Sequence, residues 1–186
     1  GTQVLETPAR LCLVGWRGPG AADPDAAALD LLACWLGGSP QARLAHSLVG
    51  EFHLALAAQA GFTAQRDGSL LWAMAAVPAD ADSAAVERSL LDEVTAVSKH
   101  APEAFEVERV RRQLEASTWF ALQTARQRSQ ALGEAAMLAG DAAAAARRID
   151  ALRHLTGEDL RRAAARVMID AGRATVWMLP TGGGTP

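Results

Sequence analysis

The apolar positions of this chain change period several times, and each change marks an element. Residues 9–20, ARLCLVGWRGPG, are an almost unbroken apolar run closed by Gly18-Pro19-Gly20. Such a run predicts a strand buried on both faces and then a turn. Asp23-Pro24 then supplies an N-cap and a proline for the first helical position. Leu29, Leu32, Ala33 and Leu36 behind it follow the helical period up to Gly37-Gly38, a stop signal. Ser39-Pro40 opens a second, shorter helix over QARLAHSLVG.

Two strand patterns follow, FHLALAAQAGF and SLLWAMAAVP, joined by a turn-rich stretch containing Asp67-Gly68, a hairpin signal. The next segment, residues 79–100, is helical, with Val86, Leu90, Val94 and Val97 on one stripe. From Pro102 a helical pattern runs as far as Asp141, long enough to predict a break near Thr118 to Thr124. Two more helices follow, the second capped by Thr156 with Asp159 three residues on. The last strand is RATVWMLP. The order β-α-α-β-β-α-α-α-α-β places a hairpin and two distant strands in one mostly antiparallel sheet with helices on one face, an α+β fold. The expected organisation is a flexible lead-in over residues 1–8, one domain over 9–180 and a flexible tail over 181–186.

Bulk properties narrow the classes. The 186 residues suit a single domain with a sizeable core. No apolar run reaches the length of a membrane span. A net charge of −3 argues against nucleic acid as the main partner. Seventeen arginines against the single Lys99, with abundant alanine, suggest a GC-rich bacterial gene. The chain opens on Gly in a polar segment, which leads us to expect a piece of a longer protein, periplasmic or cytoplasmic. Cys12 and Cys34 both sit in apolar runs, where a disulfide and two buried thiols are both open.

Candidate chemistry is sparse. His46, Glu51 and His53 gather in RLAHSLVGEFHLALAA. A helix-borne zinc site needs its histidines one turn apart, as in H-x-x-E-H. Here they lie seven apart with Gly50 between them, so the spacing predicts no metal site. No stretch has phosphate-binding form. The arginine cluster Arg147, Arg148, Arg153, Arg161, Arg162 and Arg166 lacks interleaved aromatics and reads as a solvated face balanced by Asp150, Glu158 and Asp159. The five tryptophans, Trp16, Trp35, Trp72, Trp119 and Trp177, are spread over different elements, the pattern of core or cleft packing.

Several phrases nonetheless match one family in the correct order. They are GWRGPGAADPDAAALDLLACWLGGSPQARLAHSLV, PEAFEVERVRRQLEAS, LGEAAMLAGD, LTGEDLRRAAARVM and RATVWMLP. Over residues 9–180 the chain resembles the C-terminal domain of zinc metallopeptidases of the insulinase-like family, which includes pitrilysin and the mitochondrial processing peptidase. The most specific likeness is the Gly-Gly-x-x-x-x-Arg-Leu segment, here Gly37, Gly38, Arg43 and Leu44, with Gln41 and Ala42 where the family usually has Ser-Ser.

The resemblance implies one of two similar halves that face each other. The zinc and its H-x-x-E-H ligands would belong to an N-terminal domain or partner subunit outside this chain. This half would hold no catalytic group and would enclose an extended peptide, without nucleic-acid or membrane partners. Arg43, His46, His53 and Trp72 are the candidate peptide-binding residues. The family often places an arginine and a tyrosine seven residues apart in this half. Aligned on Arg43-Leu44, those positions hold Val49 and Leu56, and the chain has no tyrosine. The missing donors remove a stabilisation often worth about 3 kcal/mol, which leaves a non-proteolytic scaffold homologue as the alternative. A stand-alone ligand-binding domain with its own closed pocket comes third.

Overall fold

The computed structural model describes residues 10–179, so the expected flexible ends over 1–8 and 181–186 lie outside the described residues. Four strands form one antiparallel sheet: β1 (Arg10–Arg17), β2 (Ala57–Thr63), β3 (Leu70–Val77) and β4 (Arg173–Met178), in the spatial order β2-β3-β1-β4. The helices are α1 (Ala26–Gly37), α2 (Ser83–Ala96), α3 (Ala104–Phe120), α4 (Ala125–Ala139), α5 (Ala144–Leu152) and α6 (Gly157–Val167). A π-helical segment, Ala45–Glu51, follows α1, and a single 3₁₀ turn, Asp170–Gly172, precedes β4. The α+β architecture matches the expectation.

One face of the sheet makes the core. Cys12, Val14 and Trp16 of β1 and Leu71, Ala73, Ala75 and Val77 of β3 are buried against α1 and α2. Helix α1 is apolar except for Asp30 and is buried except along the half-buried stripe of Ala26, Asp30 and Cys34, close to the behaviour of a helix inside a core. It lies between the sheet and an outer tier made by α3, α5 and α6. Its fully buried Leu29, Leu31, Leu32 and Leu36 each contribute about 2 kcal/mol of apolar burial. The C-terminal end of α1 reaches β2 so closely that a Cβ on Gly37 would stand 2.0 Å from the Ala60 nitrogen.

Four sequence expectations change in detail. Strand β1 is buried on one face only: Leu11, Leu13 and Gly15 are half-buried where burial on both faces is expected. Helix α1 begins two residues after Pro24, because Asp23 first closes a turn, accepting from the Asp25 amide through Oδ1 at 2.9 Å and from the Ala26 amide at 3.0 Å. The pattern FHLALAAQAGF begins pairing only near its middle. The Phe52 amide donates to the Ser47 carbonyl, and those of Leu54 and Ala55 to the Leu48 carbonyl, so this stretch closes the π-helix instead. His53, at φ 50°, turns the chain into the sheet. The second helix over residues 41–50 is accordingly a π-helix rather than an α-helix.

The long helical pattern breaks after Phe120, within the expected window. Thr124 restarts it as an N-cap: its hydroxyl accepts from the Gln127 amide while Gln127 accepts from the Thr124 amide. The same reciprocal pair, Thr156 with Asp159, opens α6. The arginine cluster is neutralised in place. Arg166 bonds both Asp23 and Asp25, Arg162 pairs with Asp159, Arg148 with Asp30, Arg153 with Glu115, and Arg147 with Asp141. Most of these pairs cross between elements and clip the outer tier to the turn before α1 and to α3.

Two predictions follow from this packing. Gly37→Ala forces the α1–β2 contact apart and lowers the unfolding free energy by about 3 kcal/mol. Gly133→Ala, in an α4 position with open space around it, raises it by about 0.7 kcal/mol. Urea denaturation measures both. The second concerns acid stability. The Arg166 guanidinium holds the Asp23 carboxyl below its ordinary value. A depressed carboxylate stabilises the fold above its unfolded pKa of about 4, and that contribution fades as pH falls through the lower folded value. Arg166→Ala therefore lowers Tm by a few degrees at pH 7 and by much less at pH 3, as thermal scans at the two pH values will read.

Candidate functional site

The strand registers arrange the uncovered sheet face in rows. Thr63, Leu70 and Arg17 form one; Gly61, Trp72, Gly15 and Ala174 the next; then Gln59, Met74, Leu13 and Val176; then Ala57, Ala76, Leu11 and Met178. Nearly all of these side chains are apolar or small. Leu70 is 42% and Val176 47% exposed. Among the described residues of this face, Arg17 is the only charged one. A contiguous apolar surface of this kind, uncovered among the described residues, is the mark of a contact surface.

Trp72 belongs to this face. Its indole lies across Gly61 on β2: a Cβ there would stand 2.4 Å from the ring. Its Nε1–H reaches the Thr63 hydroxyl at 3.4 Å. The glycine is what lets the ring lie flat on the sheet.

The other three candidate residues are placed elsewhere. Arg43 precedes the π-helix and is tied into the helical layer, with Nε 2.7 Å from Glu93 Oε2 on α2 and its guanidinium 5.9 Å from the Trp35 ring centroid. Such a contact is worth about 1 kcal/mol, and it gives Arg43 a packing role. His46 is exposed, with Nδ1 4.0 Å from Glu51 Oε2. His53 turns its Nδ1 onto the Val49 carbonyl at 3.0 Å. His46 and Glu51 thus face each other while His53 turns away onto Val49, and no group of three or more such ligands assembles among the described residues. A zinc ion does not fit here.

Val49 is half-buried and Leu56 is 62% exposed; both are hydrocarbon side chains with no proton to donate to a carbonyl. The neighbouring Ser47 hydroxyl is buried without a hydrogen-bond partner. Cys12 and Cys34 are free thiols. Burial pushes them up to about 12 and about 11, respectively, so neither is a nucleophile at neutral pH.

Leu11, Leu13, Leu70, Met74 and Val176 were not singled out by sequence reasoning, although a signal existed. The apolar run of β1 places hydrophobic residues on both alternations, which reads as double burial. Among the described residues only one alternation is covered by helices, and the other is the candidate surface.

Comparison with known proteins agrees with this geometry. A sequence model of the peptidase M16 inactive domain matches residues 3–114. No curated protein sequence matches the chain. The fold is similar to that of a candidate zinc protease from Bordetella pertussis Tohama I, at 25% identity and a TM-score of 0.84, over 95% of this chain and 97% of that one. It is also similar to the inactive peptidase domain of a candidate zinc protease from Bordetella parapertussis, at 24% identity and a TM-score of 0.87, over 99% and 97%. A protease from Helicobacter pylori is similar at 20% identity and a TM-score of 0.84, over 96% of this chain but 44% of that protein. The match over more than half of the sequence, on a fold whose potential ligands do not converge, settles the family: the chain belongs to the M16, insulinase-like zinc peptidases, as their inactive C-terminal domain.

Proposed function

We propose that this domain packs against a metal-bearing domain or subunit of the same family and closes a chamber around an extended peptide. The uncovered sheet face carries this reading. Strand β1 has the composition of a strand buried on both sides, yet its second side meets no helix among the described residues, which supports cover from outside. A chamber wall answers that need, because a partner and a peptide together withdraw the face from water. Zinc and the activated water belong to the partner. Trp72 contributes to the wall directly; Arg43, His46 and His53 lie along the segment that leads into β2, beside the chamber rim.

A scaffold role without proteolysis is the second reading. Val49 and Leu56 favour it, since neither can polarise a peptide carbonyl as the arginine and tyrosine of relatives would.

One experiment separates the two. The chain is mixed with the family module carrying H-x-x-E-H from the same genome, and hydrolysis of unstructured peptides is followed with and without chelator. The peptidase reading expects zinc-dependent cleavage by the mixture only. It also expects kcat/KM to fall at least about tenfold, or 1.4 kcal/mol, when Val176→Glu places a charge on the open face. Stable assembly without cleavage establishes the scaffold reading. Stoichiometric zinc on this chain alone, lost in His46→Ala, sinks both.

A further inference from the structure

Helix α4 is alone among α1 to α6 in having no buried residue. Its sequence still carries an apolar stripe, with Ala131, Ala135 and Leu138 following the helical period along one side. That stripe faces the body of the domain across a half-enclosed cleft of about 530 Å³. Ala27 of α1, Thr118 of α3, Leu152 of α5 and Phe62 of β2 line the body side of the cleft. Phe62 shares the alternation of Ala58 and Ala60, which packs on the core, so the cleft lies on the helical side of the sheet, away from the open face. Packed interiors leave few voids larger than a water molecule. A cleft of this size falls within the range of small-molecule sites, about 300–1,000 Å³.

The polar side chains around the cleft already have partners. Ser117 and Thr118 donate to the Leu114 carbonyl at 2.9 and 2.8 Å. Glu134 accepts from Gln130 at 2.9 Å. Arg147 pairs with Asp141 at 2.7 Å, and Arg148 pairs with Asp30. What remains for a ligand is hydrocarbon, and a charged group carried into the cleft loses water without gaining a partner.

We propose that this cleft binds a small, uncharged apolar molecule and that α4 closes over it. The site is separate from the chamber reading, which concerns the opposite face of the sheet. Helix α4 packs mainly on α5. It is bounded by the turn over residues 121–124 and by Gly140 in the left-handed region, at φ 76°. A helix with so little burial opens and closes at low cost in free energy. A ligand in the cleft supplies the contacts that Ala131, Ala135 and Leu138 lack, and so holds the helix down.

The test is an NMR titration of the 186-residue chain with decanol, decanoate and decylammonium, three ligands that share one apolar chain. The expected result is chemical-shift change at Ala27, Phe62, Ala135 and Leu152, with a Kd for decanol below about 100 μM. Decanol binds at least about fivefold more tightly than either ion, and amide exchange over Ala125–Ala139 slows in its complex. Ala135→Trp fills the cleft and removes decanol binding. Ala136→Trp, on the exposed side of the same helix, leaves it unchanged. No binding up to the solubility of decanol, shifts confined to another surface, equal binding of the three ligands, or full binding by Ala135→Trp overturns the proposal. Shifts at the cleft with unaltered exchange over α4 overturn its closing movement.

Discussion

The fold depends on one almost wholly apolar helix packed between two layers. Helix α1 is buried against the sheet on one flank and against α3, α5 and α6 on the other, so every outer element is positioned through it. Its closest approach is at Gly37, where the helix end meets the β2 backbone with no room for a Cβ. That contact fixes how far β2 stands from the core. It thereby sets the pairing of β2 with β3, the flat seat of Trp72 on Gly61, and the rows of the opposite face. A displacement at Gly37 is felt on the surface that faces away from it, because a four-stranded sheet is too thin to absorb it.

The sheet is covered unequally, and this inequality links the fold to its role. The core face is sealed by α1 and α2, while the other retains hydrocarbon at Leu13, Leu70, Met74 and Val176 without a covering helix among the described residues. Keeping such a surface wet costs roughly 25 cal/mol for each Å². The described residues themselves offer an apolar sheet face and no assembled group of metal ligands.

The segment from Ala45 to Leu56 has none of the regularity of a helix-borne ligand site. A π-helix, a buried unpaired Ser47 hydroxyl and a left-handed His53 occupy a dozen residues. The histidine rings and Glu51 are consequently aimed at local partners or at solvent. Around this segment the outer tier is held by reciprocal caps at Thr124 and Thr156 and by arginine–carboxylate pairs that cross between elements. The charged surface that might suggest a polyanion site is occupied by these internal pairs.

Much of this was legible without coordinates. Periodicity placed the four strands and the α-helices, because apolar spacing is imposed locally by the backbone repeat, and the length of the helical pattern after Pro102 placed a break between Thr118 and Thr124. Other features were decided only by tertiary contact. The stretch from Phe52 to Ala55 has a strand pattern, but the Leu48 carbonyl takes its amides first. The acidic partners Asp23, Asp30 and Glu115 are far from their arginines in sequence, and only packing brings them together. The doubly apolar β1 told of two buried faces, and hydrophobic pattern records that a side chain must leave water without naming what will cover it. Which face of β1 the helices cover was settled by where α1 and α2 pack.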